Sequence, residues 1–232
     1  RAVEHRLLAV NPAAAVRPPR PTATEVQSLT AEEVEALLAV ASDPEMHTLI
    51  FLAANTGARI GELMALQWDD LVGDRLRIRR NAVYLPGEGV NFGPPKTRAS
   101  RRQIRLSAEC VAALSEHRVR QLERRLLLGA AYQDRDLIFS GPLGRVQAPK
   151  VVSRRFSAIV KRAVLKRCTF HTLRHTCATL GLIEGVNVKV MQERLGHGSS
   201  AITLDLYSHT TEDMQAEAAE LIGAQIRRTR AE

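Results

Sequence analysis

One interruption in an otherwise helical pattern constrains the fold of this chain more than any other feature. From Thr30 onward, apolar residues recur with the period of amphipathic helices, and only between residues 76 and 106 does the period change to two. There Leu76 and Ile78 alternate with arginines, and a connection rich in glycine and proline leads to a second short strand around Ile104. The pattern predicts a mainly α-helical fold with one small antiparallel β-sheet, an α+β class.

Local signals set the ends of the predicted helices. Thr30 and Glu33 have the spacing of a capping box, and Gly57 stands where a left-handed C-cap is expected. Four prolines among residues 12–21 prevent a continued helix, so residues 1–21 are predicted to be a helix end followed by a tether, and residues 22–232 a single domain. The predicted helices cover residues 30–41, 45–55, 59–68, 107–128, 150–165, 171–184, 187–195 and 210–226.

The positive charge of the chain is unevenly placed. There are 33 Lys plus Arg against 25 Asp plus Glu, a formal net charge of +8. Five basic residues lie between Glu88 and Glu109 and nine between Asp136 and Glu184, and neither window contains a carboxylate. A charge run is often only a solvated face, but a local and unbalanced excess favours a polyanionic partner such as nucleic acid.

Composition also excludes several classes of protein. A hydrophobic fraction of 45% excludes wholesale disorder, and no apolar run approaches the roughly 20 residues of a membrane-spanning helix. Three cysteines, an odd and low number, argue against a disulfide framework and for a reducing compartment. A cytoplasmic location and no membrane partner are therefore expected.

Reactive side chains are concentrated in four short segments, of which the first two are weak signals alone. In residues 56–63, a glycine turn leads into a helix whose first turn offers Arg59 beside unpaired backbone N–H groups, which suits an anion. An arginine at a helix start is nevertheless more often a plain surface residue. In residues 95–98, Lys96 lies at the tip of the predicted hairpin and is one of five lysines.

The third and fourth segments are denser. His171, Arg174 and His175 are spaced so that one helix face presents two imidazoles and a guanidinium. Residues 195–209 then place His197 and Tyr207 ten residues apart across a glycine turn.

Metal binding is a rival interpretation of the third segment. Cys168, His171, His175 and Cys177 supply four side chains that could ligate a metal within ten residues. Their spacing matches no usual zinc finger, and Arg174 would place a cation against the ion. Packing or capping roles for both cysteines are favoured, and no metal or other cofactor is expected.

Taken in order, the four segments resemble the catalytic domain of the tyrosine recombinases, also called the phage integrase family. The resemblance covers residues 28–225, and its departures are Arg105, where a proline is common, and Thr172, where an acidic residue is common. The matching motifs are the arginine box in residues 56–71 with Trp68-x-Asp70, then Lys96-Thr97-x-x-Ser100-x-Arg102, then His171-x-x-Arg174, and finally Leu195-Gly196-His197 leading to Tyr207-x-His209.

The resemblance implies a DNA breaking-rejoining catalytic fold and a role for each matching residue. Tyr207 would be the nucleophile that forms a 3′-phosphotyrosyl bond, with Lys96 as general acid and His171 as acceptor of the phenol proton. Glu62 would hold an arginine or histidine in place, although a plain surface carboxylate is an open alternative. Arg59 and Arg174 would clamp the phosphate, His197 would hydrogen-bond it, and His175 and His209 are interpreted as packing histidines.

The implied partners are double-stranded DNA and other protomers. Candidate DNA-binding residues are Arg98, Arg101, Arg102, Arg154 and Arg155. The apolar stripe of residues 210–226 is typical of a helix that packs on its own core. The resemblance implies the alternative that this helix is exchanged between protomers in a tetrameric synapse at the nucleoid. Residues 1–21 resemble the end of the family's core-binding domain and its linker, with the rest of that domain absent. Two alternative functions are a type IB topoisomerase and a DNA-binding module that has lost catalysis.

Overall fold

The computed structural model describes residues 3, 5, 7–11, 28–95, 100–166 and 168–196. Short 3-10 helices at Trp68–Asp70 and Gly129–Ala131 accompany the longer elements. In chain order these elements are α1 (Ala31–Ala39), α2 (Pro44–Thr56), α3 (Ile60–Leu63), β1 (Leu71–Val72), β2 (Arg75–Ile78), β3 (Asn81–Leu85), β4 (Gly89–Gly93), β5 (Arg102–Arg105), α4 (Ala108–Leu128), α5 (Pro149–Arg162), α6 (Phe170–Ile183) and α7 (Val188–Leu195).

The predicted helix caps are confirmed. Thr30 Oγ1 accepts from the Glu33 N–H at 3.2 Å, and the Glu33 carboxylate accepts from the Thr30 N–H at 2.9 Å, which is the capping box. Gly57 ends α2 in the left-handed conformation, with φ of 61°. A Cβ at Gly57 would lie 2.4 Å from Leu195 Cδ2, so the position requires glycine for both its conformation and its close packing on α7.

The predicted third helix, over residues 59–68, is shorter than expected. Helix α3 ends at Leu63 because the following backbone pairs elsewhere. Leu66 O accepts from the Ile138 N–H, and the Trp68 N–H donates to Asp136 O, each at 2.9 Å. The buried Asp70 carboxylate also accepts from the Gln67 N–H at 3.0 Å. These two long-range bonds and the local bond to Asp70 replace the helical ones that the apolar spacing favoured.

The predicted antiparallel β-structure is present, and among the described residues its strands form two small sheets where one was predicted. One has the order β1-β2-β5 and the other is a hairpin of β3 and β4. Of the ten strand residues of the hairpin only Ala82 is buried, so its sequence lacks the alternation that marks a strand with one buried face. Strand β4 pairs with β3, whereas β5 pairs with β2, so β4 and β5 belong to different sheets.

The core lies around α2, which packs against α6 and α4. The inner face of the three-stranded sheet adds Leu76, Ile78 and Ile104 to it. A smaller apolar cluster between α6 and α7 contains Cys177, Met191 and Leu195, among others. Among the residues described, no helix has the length and apolar character needed to cross a membrane.

Candidate active site

Glu62 lies at the centre of a cluster of charged side chains. Its side chain is 2% exposed, which excludes the surface-carboxylate alternative. The carboxylate accepts from Arg59 at the backbone N–H (3.0 Å) and at Nη1 (2.9 Å), and from Arg102 at Nη1 (3.2 Å) and Nη2 (2.9 Å). Burial alone would raise the pKa of Glu62, but hydrogen bonds and charges from Arg102 and Arg59 outweigh it and hold the pKa below its ordinary value. An ionised Glu62 therefore orients two guanidinium groups.

Arg174 is held by the ends of two helices. Arg174 is 2% exposed. Its Nη1 donates to Gly57 O at 2.6 Å, and its Nη2 donates to Leu195 O at 2.7 Å. These carbonyls lie at the C-termini of α2 and α7, where unpaired acceptors and the helix dipole favour a cation. Burial, followed by the charges of Arg59 and Arg102, lowers the pKa of Arg174 to about 9, so the guanidinium is still protonated at neutral pH.

Positive charge exceeds negative charge in this cluster. Three guanidinium groups interact with the carboxylate of Glu62: Arg59 and Arg102 through hydrogen bonds, and Arg174 through its charge. Arg59 is the most open of the three, since its side chain is 42% exposed, while Arg102 and Arg174 are buried beneath. A pair of guanidinium groups with unmatched charge can bind an oxyanion through several N–H donors at once.

His171 and His175 lie on the same face of α6 as Arg174. Their ring centroids are 4.3 Å apart in a T-shaped arrangement. Burial, followed by the charges of Arg174 and Arg59, lowers the pKa of His171 below 6.5. Burial, His171 and Arg174 lower the pKa of His175 to about 4. Both imidazoles are therefore neutral at pH 7, which is the state in which His171 can accept a proton.

A second set of arginine contacts fixes the end of α7. Arg102 Nε donates to Arg194 O at 2.6 Å. Arg194 itself donates from Nη2 to Asn55 O at 2.8 Å and from Nη1 to Arg105 O at 3.1 Å. Arg194 was not among the predicted site residues, and its only signal in the sequence is its place directly before the Leu195-Gly196-His197 motif. Together with Arg174, these bonds fix the point from which the chain continues to His197.

The structure places two of the predicted DNA-binding arginines in contacts within the protein. The Arg102 side chain is only 5% exposed and bonds Glu62, Arg194 O and Ser100 O, so it supports the cluster instead of facing solvent. Arg155 bonds Gln147 and the Asp43 carboxylate, which ties α5 to the start of α2. Arg101 and Arg154 are exposed.

Several predicted positions lie outside the described residues. They are Lys96, Arg98, His197, His209, Tyr207 and the helix over residues 210–226. The described chain nevertheless reaches their immediate neighbours, since Pro95 and Ser100 flank the lysine segment and Gly196 precedes His197. The roles of these residues stay predictions.

The two cysteines of the alternative metal site point to different carbonyls. Cys168 Sγ donates to Thr169 O at 3.8 Å, and Cys177 Sγ donates to Asn55 O at 3.4 Å. Burial, followed by the charge of Glu33, raises the pKa of Cys168 to about 12, which disfavours the thiolate that binds metals. Within the described ranges, no group of three or more His, Cys, Asp or Glu side chains is arranged to hold a metal ion.

A comparison with protein-family models shows which family the chain belongs to. The model of the phage integrase family matches residues 27–214, a stretch that includes the charged cluster and all four motifs. The chain belongs to the phage integrase family. The resemblance recognised in the sequence, and the mainly helical fold with small antiparallel sheets, are thereby confirmed.

Curated members of this family match much of the chain. A protein of Caldanaerobacter subterraneus subsp. tengcongensis, described as tyrosine recombinase XerC-like, is 29% identical over 244 residues that cover 95% of this chain and 61% of that protein. An integrase of Streptomyces ambofaciens is 30% identical over 82% of this chain and 50% of its own length. The chain thus spans between half and about three fifths of these relatives.

Solved structures of the family share the fold. The XerA recombinase matches with a TM-score of 0.65 and 26% identity, covering 89% of this chain and 66% of that chain. The Tn1549 transposon integrase, solved in complex with transposon right end DNA, matches with a TM-score of 0.74 and 23% identity over 88% of this chain and 69% of that chain. At that identity the second likeness shows the fold alone.

Proposed function

We propose that this chain is the catalytic part of a site-specific tyrosine recombinase that cuts and rejoins double-stranded DNA. The observation that carries the proposal is the cluster in which Glu62 orients Arg59 and Arg102 while two helix ends orient Arg174. Such a cluster, with more guanidinium groups than carboxylates, suits a phosphodiester whose charge grows during strand cleavage. Family membership supports the same reaction.

In the proposed first step, the Tyr207 oxygen attacks the phosphorus and displaces the 5′-oxygen of the next nucleotide. The phosphorus–oxygen bond to the 5′-oxygen breaks as a 3′-phosphotyrosyl bond forms. His171, neutral at pH 7, accepts the phenol proton, and Lys96 donates a proton to the leaving 5′-oxygen. Rejoining is the reverse displacement by a 5′-hydroxyl, and it needs no external energy source because one phosphate ester replaces another.

The non-bridging oxygens of the phosphate are proposed to bind Arg59 and Arg174. A guanidinium has five N–H donors, and Arg174 uses two of them on Gly57 O and Leu195 O, which leaves three for a phosphate. Arg59 belongs to the same cluster, and its side chain is 42% exposed, so a phosphate can reach it from solvent. His197 is proposed to add a further hydrogen bond to the phosphate.

The partners proposed are duplex DNA and further copies of the protein. The net charge of +8 and the exposed Arg101 and Arg154 support binding to a phosphate backbone. A lambda integrase dimer bound to a COC′ core site is among the solved relatives, at 21% identity. We propose a tetrameric synapse in the cytoplasm at the nucleoid, with the helix of residues 210–226 exchanged between protomers.

The proposal is tested with a nicked suicide duplex, on which a covalent protein–DNA adduct accumulates because the cut strand cannot be rejoined. The expected result is an adduct on a denaturing gel in the presence of EDTA that disappears in Tyr207→Phe. Tyr84→Phe is the matched control, since Tyr84 is an exposed residue of the β3–β4 hairpin, and it should form the adduct normally.

Three other outcomes would contradict parts of the proposal. An adduct that persists in Tyr207→Phe would assign the nucleophile to another residue. DNA binding without any adduct would favour a non-catalytic binding module. Relaxation of supercoiled DNA without exchange of partner strands would favour the topoisomerase alternative.

A further inference from the structure

Helix α4 carries an apolar stripe on the side that faces away from the core. The buried residues, which define the inner face of the helix, are Cys110, Leu114, His117 and Gln121. On the outer face Val119, Leu122 and Leu126 follow one another at helical spacing, and they are 55%, 47% and 83% exposed. Single exposed apolar residues are common, but a continuous row of them is typical of a surface that another molecule covers.

The outer face has the residue spacing of a two-stranded coiled coil. Ala112 and Ser115 are exposed and extend the row towards the start of α4. The spacing alternates between three and four residues, so Ala112, Val119 and Leu126 take the a positions of a heptad, and Ser115 and Leu122 take the d positions. These five residues are here called the outer stripe. Valine at an a position with leucine at the next d position favours a parallel pair of helices.

Charged residues border the outer stripe, with one sign on each side. The g positions are Arg118 and Arg125, and the e positions are Glu116 and Glu123. In a parallel pair, a g residue faces an e residue of the next heptad on the other helix, so Arg118 meets Glu123 of a second copy. A two-fold axis repeats this ion pair. In an antiparallel pair arginine would face arginine and glutamate would face glutamate, so the charges select the parallel orientation.

The two charges that a parallel pair would join are available in the single chain. Within the described ranges, neither Arg118 nor Glu123 forms an ion pair with its own chain, whereas Arg125 and Glu116 do. The Arg118 guanidinium lies over the ring of Trp68, 5.1 Å from its centroid. A guanidinium stacked on a ring keeps N–H donors at its edge, so Arg118 can still bind a carboxylate.

We propose that the outer stripe of α4 binds the outer stripe of a second copy of this chain, with the two helices parallel. Packing on the core already holds α4 in its helical form, so association does not have to order the helix. The stripe is about 22 Å long at the rise of a helix, a short contact that predicts a reversible dimer. The inference depends neither on the helix of residues 210–226 nor on the proposed recombination activity.

The test is the oligomeric state of the full chain without DNA, measured by sedimentation equilibrium over a range of concentrations. The wild type should be in equilibrium between monomer and dimer. Leu122→Asp places a charge in the middle of the outer stripe and should leave only monomer. Val151→Asp places the same charge at a 54% exposed valine of α5 and should keep the wild-type dissociation constant. Thermal unfolding establishes that each variant is folded.

Exchange of charges tests the pairing of Arg118 with Glu123. Arg118→Glu and Glu123→Arg each replace two attractions by two repulsions, so each should raise the dissociation constant of the dimer at least about tenfold. The double variant R118E/E123R restores both attractions with the signs reversed and should dimerise like the wild type. A mixture of the two single variants should form a heterodimer that is more stable than either homodimer.

A wild type that stays monomeric at its highest soluble concentration would overturn the inference. A dimer that survives Leu122→Asp would also overturn it, because the copies would then meet through another surface. Equal loss of the dimer in Val151→Asp would show that any added charge prevents association. If R118E/E123R fails to dimerise, or if either single charge exchange strengthens the dimer, the parallel arrangement is wrong.

Discussion

The Glu62 carboxylate and the Arg102 guanidinium meet in a two-bonded ion pair, with N–O distances of 2.9 and 3.2 Å, and both side chains are almost completely buried. The pair joins α3 to β5 across 40 positions of sequence. Because Glu62 also bonds Arg59, the orientation of an exposed arginine depends on a contact beneath the surface. Arg102 is in this sense a positioning residue for Arg59.

Glu62→Gln is expected to destabilise the protein. Removing one partner of a buried ion pair leaves an uncompensated charge on Arg102, and the free energy of unfolding should fall by about 3 kcal/mol. Urea denaturation at pH 7 measures the change. Glu116→Gln is the matched control, because Glu116 pairs with Arg120 on the exposed face of α4, and it should change the free energy of unfolding by less than about 0.5 kcal/mol.

The stability difference between wild type and Glu62→Gln should itself depend on pH. Arg102 and Arg59 hold the pKa of Glu62 below its ordinary value of 4.5, so the folded state binds this proton less readily than the unfolded state does. The stabilisation is complete above about pH 4.5 and is lost as pH falls through the depressed pKa. A difference that stays constant from pH 7 to pH 3 would contradict an ionised Glu62.

The pH dependence of DNA cleavage should report His171. Burial and two neighbouring arginines lower the pKa of His171 below 6.5, so it stays neutral, and able to accept a proton, at mildly acidic pH. The rate of single-turnover cleavage should therefore fall only below pH 6.5 as His171 becomes protonated. In His171→Gln the rate should be lower, by about a hundredfold, and this acidic limb should disappear. If the limb persists in the variant, another group takes the proton.

Arg194→Ala is expected to slow cleavage without weakening DNA binding. Arg194 ties the end of α7 to Asn55 O and Arg105 O, and the chain continues from there to His197 and Tyr207. Misplacement of reacting groups by about 1 Å can reduce a rate on the order of a hundredfold, so a loss between about tenfold and a hundredfold is expected at saturating DNA.

Two further variants separate positioning by Arg194 from general stability. Arg194→Lys keeps the charge but has a single donor nitrogen in place of the two that bond Asn55 O and Arg105 O, and it should recover part of the rate. Lys189→Ala removes an exposed ion pair with Glu193 on the same helix and should leave the rate unchanged. Equal losses in Arg194→Ala and Lys189→Ala would show that the effect is not specific to the bonds of Arg194.

Gly57→Ala and Gly73→Ala form a matched pair for the contact between α2 and α7. Both glycines have positive φ, 61° and 59°, so each substitution carries the cost of a left-handed alanine, about 1 kcal/mol. A Cβ at Gly73 meets nothing within 4 Å, whereas at Gly57 it would lie 2.4 Å from Leu195 Cδ2. Gly57→Ala should therefore be at least about 1 kcal/mol more destabilising in urea, and equal effects would contradict the close packing seen here.

Features set by neighbouring residues were predictable from the sequence, and features set by distant contacts were not. The cap at Thr30 needs only Glu33, and the shared face of His171 and Arg174 needs only the helical period. The early end of α3 depends on hydrogen bonds to the backbone near Ile138, which is distant in sequence. The β3–β4 hairpin buries few side chains, so its sequence does not show the alternation of apolar and polar residues that predicts a strand.

The roles of arginines were the hardest to predict. Arg101 and Arg102 are neighbours of the same type, yet alternation along β5 sends one side chain to solvent and the other to Glu62. Arg194 bonds main-chain oxygens of α2 and β5. Because every residue type has a main-chain oxygen, the sequence does not indicate these contacts. Motif order singled out the segments that carry Arg59, Glu62 and Arg174, while the division between supporting and exposed arginines required the structure.

The acceptors that hold Arg174 are peptide oxygens, and this limits the ways in which mutation can alter its contacts. Carbonyls of Gly57 and Leu195 carry no net charge, so they orient the guanidinium without neutralising it. No exchange of side chains at those two positions can delete the acceptors themselves; only a shift of the backbone can. Point mutation can therefore damage this anchor indirectly, through the packing of one helix end on the other, while the anchor itself is set by the path of the main chain.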